Sequence, residues 1–263
     1  MAIIGFIGAG NMGGALARAA AKFNGNKILL ADNDEQKAIS LADEISATVS
    51  TNIEICKTAD YIFLGVKPQV LPQVLAEISP ALGGKGFTLV SMAAGVTTEK
   101  IAALLGFDAP IIRIMPNLPV SVGEGMILYT PNKFADKQQV ADLVDAMSFA
   151  GEWDEIGEAL IDAASAVSGC GPAFAFMFAN ALAKGGEANG LPYDKAIKYA
   201  AQTVKGAAEM LLQGGDAEQL TDAVCSPGGS TIEGVKVLEN EDLSGMVNKT
   251  VTASYKRTIE LGK

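Results

Sequence analysis

Residues 3–23, IIGFIGAGNMGGALARAAAKF, constrain the fold more than any other stretch. A short apolar run leads straight into a glycine loop, with Gly8, Gly10 and Gly13 in GxGxxG spacing, and an alanine-rich helical pattern begins inside that loop. Strand, tight turn and helix in this order open a βαβ unit, and in that context the spacing points to a dinucleotide cradle. Gly8 allows the turn, Gly10 lets the backbone approach a pyrophosphate, and Gly13 lets the helix pack closely on the strand. The helix start, with Asn11 and Met12, offers its unpaired N–H groups to the phosphates.

The next apolar run ends in LLADNDEQK, which places Asp32 nineteen residues beyond Gly13. An acidic residue at about 20 residues is expected to meet the ribose hydroxyls, which favours NAD(H). Asn33 and Lys37 suit a 2′-phosphate instead, and an aspartate capping the following helix is the structural alternative.

From Ile3 to about Gly157, the runs IIGFI, KILLA, YIFLGV, FTLVSMA and PIIRIM read as strands, with helical patterns between them. GMILYT and GEWDEI flank a helical run from Asp136 to Phe149 and complete the set. Alternating strands and helices predict an α/β fold, a Rossmann-type doubly wound and mostly parallel sheet. Beyond about Glu158 only helical patterns remain, so an all-helical C-terminal domain is expected over 158–263, after a dinucleotide-binding domain over 1–157. Pro172 to Ala183 is apolar nearly all round, which predicts a helix buried on every side, with a partner subunit supplying cover that a domain of ~100 residues lacks. Phe174 and Phe178 share one face of it and read as core.

The chain has no histidine among its 263 residues. That excludes His-ligated zinc, Ser-His-Asp triads, Cys-His pairs and dehydrogenases with a histidine acid or base. Thirty acidic against 20 basic side chains disfavour nucleic acid and acidic membrane surfaces as partners. Cys56, Cys170 and Cys225 have neither a disulfide nor a metal-binding pattern, and no metal is expected. The start reads as strand and loop rather than signal peptide, and the apolar run PAFAFMFANALA is too short for a bilayer, so a cytoplasmic location is expected.

A second loop, VCSPGGSTIEG, collects Ser226, Gly228, Gly229, Ser230 and Thr231 where another helix begins. Hydroxyls and backbone N–H groups at a helix N-terminus form a cradle for a carboxylate or phosphate, and a plain capping turn is the alternative.

The blocks IGFIGAGNMGGAL, FLGVKPQ, SMAAGV, RIMPNLP, SGCGPAFAF and LTDAVCSPGGSTIEGVKVLE, spread over essentially the whole chain, resemble the pyrroline-5-carboxylate reductase family. The resemblance implies reduction of a cyclic imino acid to L-proline by NADPH or NADH, the last step of proline synthesis. It implies that Ser226, Gly228, Gly229 and Thr231, with Ser230 beside them, meet the substrate carboxylate. Ser165 and Ser168 would face the ring nitrogen, with Lys67 beside the reacting groups. Val66, Lys67, Pro68, Ala93, Ala94 and Gly95 would lie along the nicotinamide ribose, Asn52 near the adenosine ribose, and Asn117 at the carboxyl edge of the sheet. An active site is then expected between the two domains, together with a homodimer or larger assembly whose helical domains interlock.

The chain departs from the family pattern at Cys170, at Ser165 where threonine is frequent, and at Asp32, where NADPH-preferring relatives tend to be neutral or basic. Family and local chemistry disagree on the cofactor; NADP(H) is slightly favoured, with NAD(H) retained because of Asp32. The rival readings are a 3-hydroxyacid-type dehydrogenase using Lys184, and an NAD(P)-binding redox sensor without turnover.

Overall fold

A computed structural model describes residues 2–83 and 86–262. The described chain forms two compact units, one made of residues up to Cys170 together with those from Ser254 on, the other of Gly171–Ala253.

In the first unit, β1 (Ile3–Ile7) is followed by α1 (Asn11–Lys22), β2 (Lys27–Ala31), α2 (Glu35–Ile45), β3 (Thr48–Val49) and α3 (Asn52–Thr58). Then come β4 (Tyr61–Leu64), α4 (Leu71–Ile78), β5 (Thr88–Ser91), α5 (Thr98–Leu105) and β6 (Ile111–Met115). The remaining elements are β7 (Gly125–Pro131), α6 (Lys137–Ala146), β8 (Gly151–Glu155) and α7 (Glu158–Ser168). The eight strands make one sheet in the order β3-β2-β1-β4-β5-β6-β7-β8. The five strands expected from the first apolar runs are all present, and β1 and β2 match the predicted residues.

Two features escaped the pattern. β3 has only two residues, both exposed, too short to register as periodicity. β7 runs antiparallel to β6, because only residues 116–124 connect them. A parallel return needs a dozen or more residues, whereas here a 3-10 turn over Leu118–Val122 makes the reversal. α6 then supplies a crossover, so β8 is parallel to β7. Its Glu152, Asp154 and Glu155 keep that edge charged.

Both faces of the sheet are covered, which is why its strands read as nearly continuous apolar runs. One core joins Phe6, Phe63, Ile112 and Ile114 to Leu16 of α1, Leu41 of α2 and Leu143 of α6. The opposite core joins Leu64, Leu89 and Ile111 to Ile55 of α3, Leu75 of α4 and Ile101 of α5. α7 packs with the sheet through Ile161, against Met115 and Leu128. The compact units therefore divide at Cys170, beyond the composition shift at 157/158, since α7 carries one apolar face onto β7.

Phe6 and Phe63 stack at 4.6 Å between ring centroids on neighbouring strands. Phe63→Ala is expected to cost about 3–5 kcal/mol, because the cavity opens where close-packed strands cannot collapse. A urea denaturation midpoint compared with wild type checks this.

The second unit holds α8 (Gly171–Ala188), α9 (Tyr193–Leu212), α10 (Ala217–Val224), α11 (Ser230–Asn240) and the first part of α12 (Leu243–Leu261). Its described core is small: Ala183, Ala196 and Ala200 hold α8 against α9. The expectation that Pro172–Ala183 is buried on every side does not hold within one chain. Phe176, Met177 and Phe178 are exposed, and Ala183 is the one buried residue of α8. Phe174 is half-buried, so the phenylalanines are not part of a core of this chain. The stretch 158–188 is also long and apolar enough, by length and composition, to cross a membrane, which the shorter run 172–183 did not reveal. Its first third, α7, packs on the sheet of this chain.

Candidate active site

The glycine loop sits where the sheet changes winding direction, since β1 pairs with β2 on one side and β4 on the other. Ligands of open α/β sheets bind at such a point, beyond the carboxyl ends of the strands. The register aligns those ends: Ile7 pairs with Ala31 and Leu64, Leu64 with Ser91, and Ser91 with Arg113. The loops carrying Gly8–Gly13, Asp32 and Asn33, Val66–Pro68, Ala93–Gly95 and Asn117 therefore share one edge. Asn52, just after β3, lies on the same edge.

Gly8 has φ +103°, and a Cβ there would lie 2.7 Å from the Gly65 carbonyl oxygen. β1 and β4 thus pass too closely for any side chain. A Cβ at Gly13 would collide with the Gly8 carbonyl oxygen, whereas one at Gly10 would meet nothing within 4 Å. Gly8 and Gly13 are packing glycines, and Gly10 leaves open space for a ligand. Gly10 is also the N-cap of α1 and makes no side-chain cap, so the helix start stays accessible to an anion.

Asp32 does more than the spacing rule assigns it. One carboxylate oxygen accepts the Ala9 N–H at 2.7 Å and the other accepts the Asp34 N–H at 2.9 Å. It therefore ties the glycine loop to the end of β2, while Asp34, not Asp32, is the N-cap of α2. Beside the loop lies a cavity of about 470 Å³ lined by Gly10, Asn11, Arg18, Lys37 and Ser40 among others. Asn33 is exposed nearby, and Asn52 donates to Glu77 at 3.0 Å.

Lys67 is exposed, and its carbonyl accepts the N–H groups of Val70 and Leu71, so residues 67–70 form a turn ahead of α4 rather than its first turn. Ala93 is buried and Ala94 half-buried beneath the adjacent loop. Gly95 packs against the backbone of Gly262, whose carbonyl accepts from Lys100 at 2.7 Å.

Asn117 is buried, with both ends of its amide engaged. Its Nδ2 donates to the Ser168 carbonyl at 3.0 Å, and its Oδ1 accepts the Met126 N–H at 3.0 Å. The side chain thus holds the C-terminal end of α7, where Ser165 is buried and Ser168 half-buried. Ser168 Oγ donates back to the Ala164 carbonyl at 3.3 Å.

Sequence reasoning passed over Arg113, reading PIIRIM as an apolar strand. Arg113 is 0% exposed, the largest fully buried side chain among the described residues. Its Nη2 donates to Asp162 Oδ1, and its Nη1 lies 3.8 Å from Glu158 Oε1. Glu158 also accepts the Thr98 N–H at 2.7 Å and the Thr98 hydroxyl at 2.9 Å. The available signal was a single charge inside a strand that is otherwise apolar.

In the second unit, residues 226–231 form a tight loop in which Ser226 accepts the Gly229 N–H at 2.9 Å and Gly228 takes φ +71°. Gly229 is the N-cap of α11 and no side chain caps the helix, so Ser230 and Thr231 occupy its first turn with their hydroxyls unused as caps. Ser226, Gly228, Ser230 and Thr231 are all exposed. The capping alternative is therefore not realised, and the loop keeps hydroxyls and helix N–H groups together, as an anion cradle requires. Of the cysteines, Cys56 is buried, which pushes its thiol up to about 12, with Glu77 adding to the shift. It is a packing thiol.

Comparison with known proteins bears on both units. Residues 158–261 match a family model described as pyrroline-5-carboxylate reductase dimerisation. Residues 3–95 match one described as NADP oxidoreductase coenzyme F420-dependent. The chain is 38% identical to the pyrroline-5-carboxylate reductase of Escherichia coli K12, over 99% of this chain and 98% of that one. It is 40% identical to human pyrroline-5-carboxylate reductase 2, over 98% and 83% respectively. The solved pyrroline-5-carboxylate reductase of Coxiella burnetii superposes with a TM-score of 0.91 at 32% identity, covering 100% and 99% of the two chains. The Plasmodium falciparum enzyme, solved with NADP bound, gives 0.87 at 32% identity, covering 100% and 98%. A fold with a dinucleotide cradle, an uncapped hydroxyl-lined loop and full-length likeness of this extent has one source: the chain belongs to the pyrroline-5-carboxylate reductase family.

Proposed function

We infer that this protein transfers hydride from NAD(P)H to the imine carbon of 1-pyrroline-5-carboxylate, producing L-proline, the last step of proline biosynthesis. The observation that carries the reading, beside family membership, is the second cradle. A protein that only sensed NAD(P) would need the glycine loop alone, whereas residues 226–231 add a separate site suited to a carboxylate.

The residues at the first cradle fit a dinucleotide: Gly10 leaves room for the pyrophosphate and the start of α1 faces it uncapped. The nicotinamide supplies the hydride when bound. This chain's residues bind and orient. Val66, Lys67, Pro68 and Ala93–Gly95 support the nicotinamide ribose, and Asn52 the adenosine ribose. Ser226 and Thr231, with the N–H groups of Gly228, Gly229 and Ser230, hold the substrate carboxylate. Ser165 and Ser168 direct hydroxyls at the ring nitrogen. A protonated imine carbon already accepts hydride, and the nitrogen then needs no proton from a side chain. Catalysis therefore rests on orientation, worth up to about 7–11 kcal/mol, and a chain without histidine can perform it.

The cofactor reading leans to NADP(H). Arg18, Lys37 and Ser40 line the cavity beside the loop and offer charge and a hydroxyl to a 2′-phosphate, which would have to draw Arg18 from Glu44 and Lys37 from Asp34. Asp32 opposes it by its own charge, and NAD(H) remains usable. Asp32→Ser is expected to raise the ratio of kcat/KM for NADPH over NADH about tenfold, the equivalent of about 1.4 kcal/mol of removed repulsion. An unchanged ratio would mean that Asp32 serves only its contacts with the Ala9 and Asp34 N–H groups.

Exposed Phe176, Met177 and Phe178 on α8 fit a homodimer in which a second copy covers them. Free thiols and the acidic balance fit the cytoplasm. The test of the reading is oxidation of NADPH and NADH, assayed separately, on adding racemic pyrroline-5-carboxylate. Cofactor binding without turnover favours the sensor.

A further inference from the structure

A lysine or arginine inside a strand is rarely fully buried, and Arg113 pairs with carboxylates while its Nε and Nη1 make no hydrogen bond. Such a cluster is a poor device for stability. Taking the charges out of water costs several kcal/mol per ion, and apolar replacements of similar volume often do as well or better. Its geometry is informative instead. Arg113 shares a strand face with Ile111 and Met115; α5 covers the Ile111 end of that face and α7 the Met115 end. Glu158 and Asp162 are four residues apart on α7, so they stand on one side of the helix, and Ser165 follows three residues later on that side.

We propose that Arg113 is a positioning residue for the reaction: through Asp162 and Glu158 it sets where α7 lies on the sheet, and so where Ser165 and Ser168 stand. This rests on the reading of those serines given above. α7 is held at three places, by Thr98 on Glu158, by Arg113 on Asp162 and by Asn117 on the Ser168 carbonyl. Between them its apolar contact centres on one large side chain, Ile161, fully buried against Met115 and Leu128, with the small Ala164 beside it. Aliphatic packing tolerates sliding, whereas directed ion pairs and hydrogen bonds specify one register. The rise along a helix is about 1.5 Å per residue, and a misplacement of about 1 Å can cost ~10²-fold in rate. A pinned α7 therefore matters more to turnover than to folding.

The test is a set of steady-state measurements on the full-length protein. The variants are Arg113→Lys, Asp162→Asn, Arg113→Met/Asp162→Leu, Ser165→Ala, and Ser165→Ala combined with Asp162→Asn. Thermal midpoint and subunit number are measured beside them. The Met/Leu pair is expected to lower kcat about tenfold or more, with KM for NADPH within about twofold of wild type and the thermal midpoint nearly kept, whereas Asp162→Asn, which leaves the buried Arg113 charge short of a partner, lowers kcat as much and the thermal midpoint as well. Arg113→Lys, which retains the charge, recovers part of the loss. Ser165→Ala is expected to cost about fivefold less in the Asp162→Asn background than in wild type, because the hydroxyl is already misplaced. Equal cost in both backgrounds, or a Met/Leu pair whose kcat falls only in step with its thermal midpoint, overturns the proposal. An inactive wild type overturns the functional reading, and this proposal with it, and is distinguished by the absence of turnover in every sample.

Discussion

Replacing Ser226 and Thr231 together by alanine is expected to lower kcat/KM for pyrroline-5-carboxylate about 10²-fold while leaving KM for NADPH within about twofold. On the proposed reading each hydroxyl would donate to a charged carboxylate, an interaction worth about 1.5–3 kcal/mol. The loop is exposed in the single chain, which argues for the lower end of that range. Two such bonds then amount to about 3 kcal/mol, or ~10²-fold at about 1.4 kcal/mol per factor of ten. The helix N–H groups remain, so binding is weakened rather than abolished. Neither side chain serves as a cap for α11, so the variant should unfold at the wild-type temperature. A loss shared equally between imino acid and cofactor would sink the assignment of this loop to the substrate carboxylate.

The second large effect is expected at the glycine loop, where two substitutions separate packing from access. Gly13→Ala drives a Cβ into the Gly8 carbonyl, so the loop must shift. Overpacking of this kind costs about 1–3 kcal/mol of stability, and the displaced backbone should weaken NADPH binding about 10²-fold. Gly10→Ala meets nothing within 4 Å in the protein itself. It should keep the wild-type thermal midpoint and still weaken NADPH binding, about tenfold, because the methyl group stands where the pyrophosphate approaches. Thermal unfolding and NADPH fluorescence titration, run on both variants, give the comparison. Equal stability of the two variants would show that the first helix can shift away from β1 at little cost.

The candidate site was readable from the chain to the extent that its chemistry is local. GxGxxG, GVKP, MPN and SPGGST each keep their polar or glycine residues within a few positions, and the fold places the first three on one sheet edge. Asn117 shows the limit. Its position at the end of β6 is a sequence property, but its role is set by Ser168, 51 residues away, and by Met126 across the reversal into β7. Asp32 is similar: spacing from Gly13 marks it as a ribose ligand, and only the fold brings it onto the Ala9 N–H. α8 was read as an apolar helix needing cover from a partner subunit, and the single chain does leave Phe176, Met177 and Phe178 exposed.

What the sequence by itself determined is the alternation of strands and helices, the switch to helices after β8, and the two glycine-bearing loops at helix starts, because each follows from periodicity or from glycine, serine and threonine chemistry within one turn of chain. What only the tertiary structure decided is the reversal of β7, the packing of α7 with the sheet, and the burial of Arg113 against Asp162 and Glu158. The packing of α7 and the burial of Arg113 depend on partners 45 to 60 residues apart, from Arg113 to Glu158 and from Thr98 to Glu158, and no local pattern encodes which distant groups will meet. A single charge in an apolar strand became a buried ion cluster because the end of the sheet face it occupies was covered by a helix carrying Glu158 and Asp162 four residues apart.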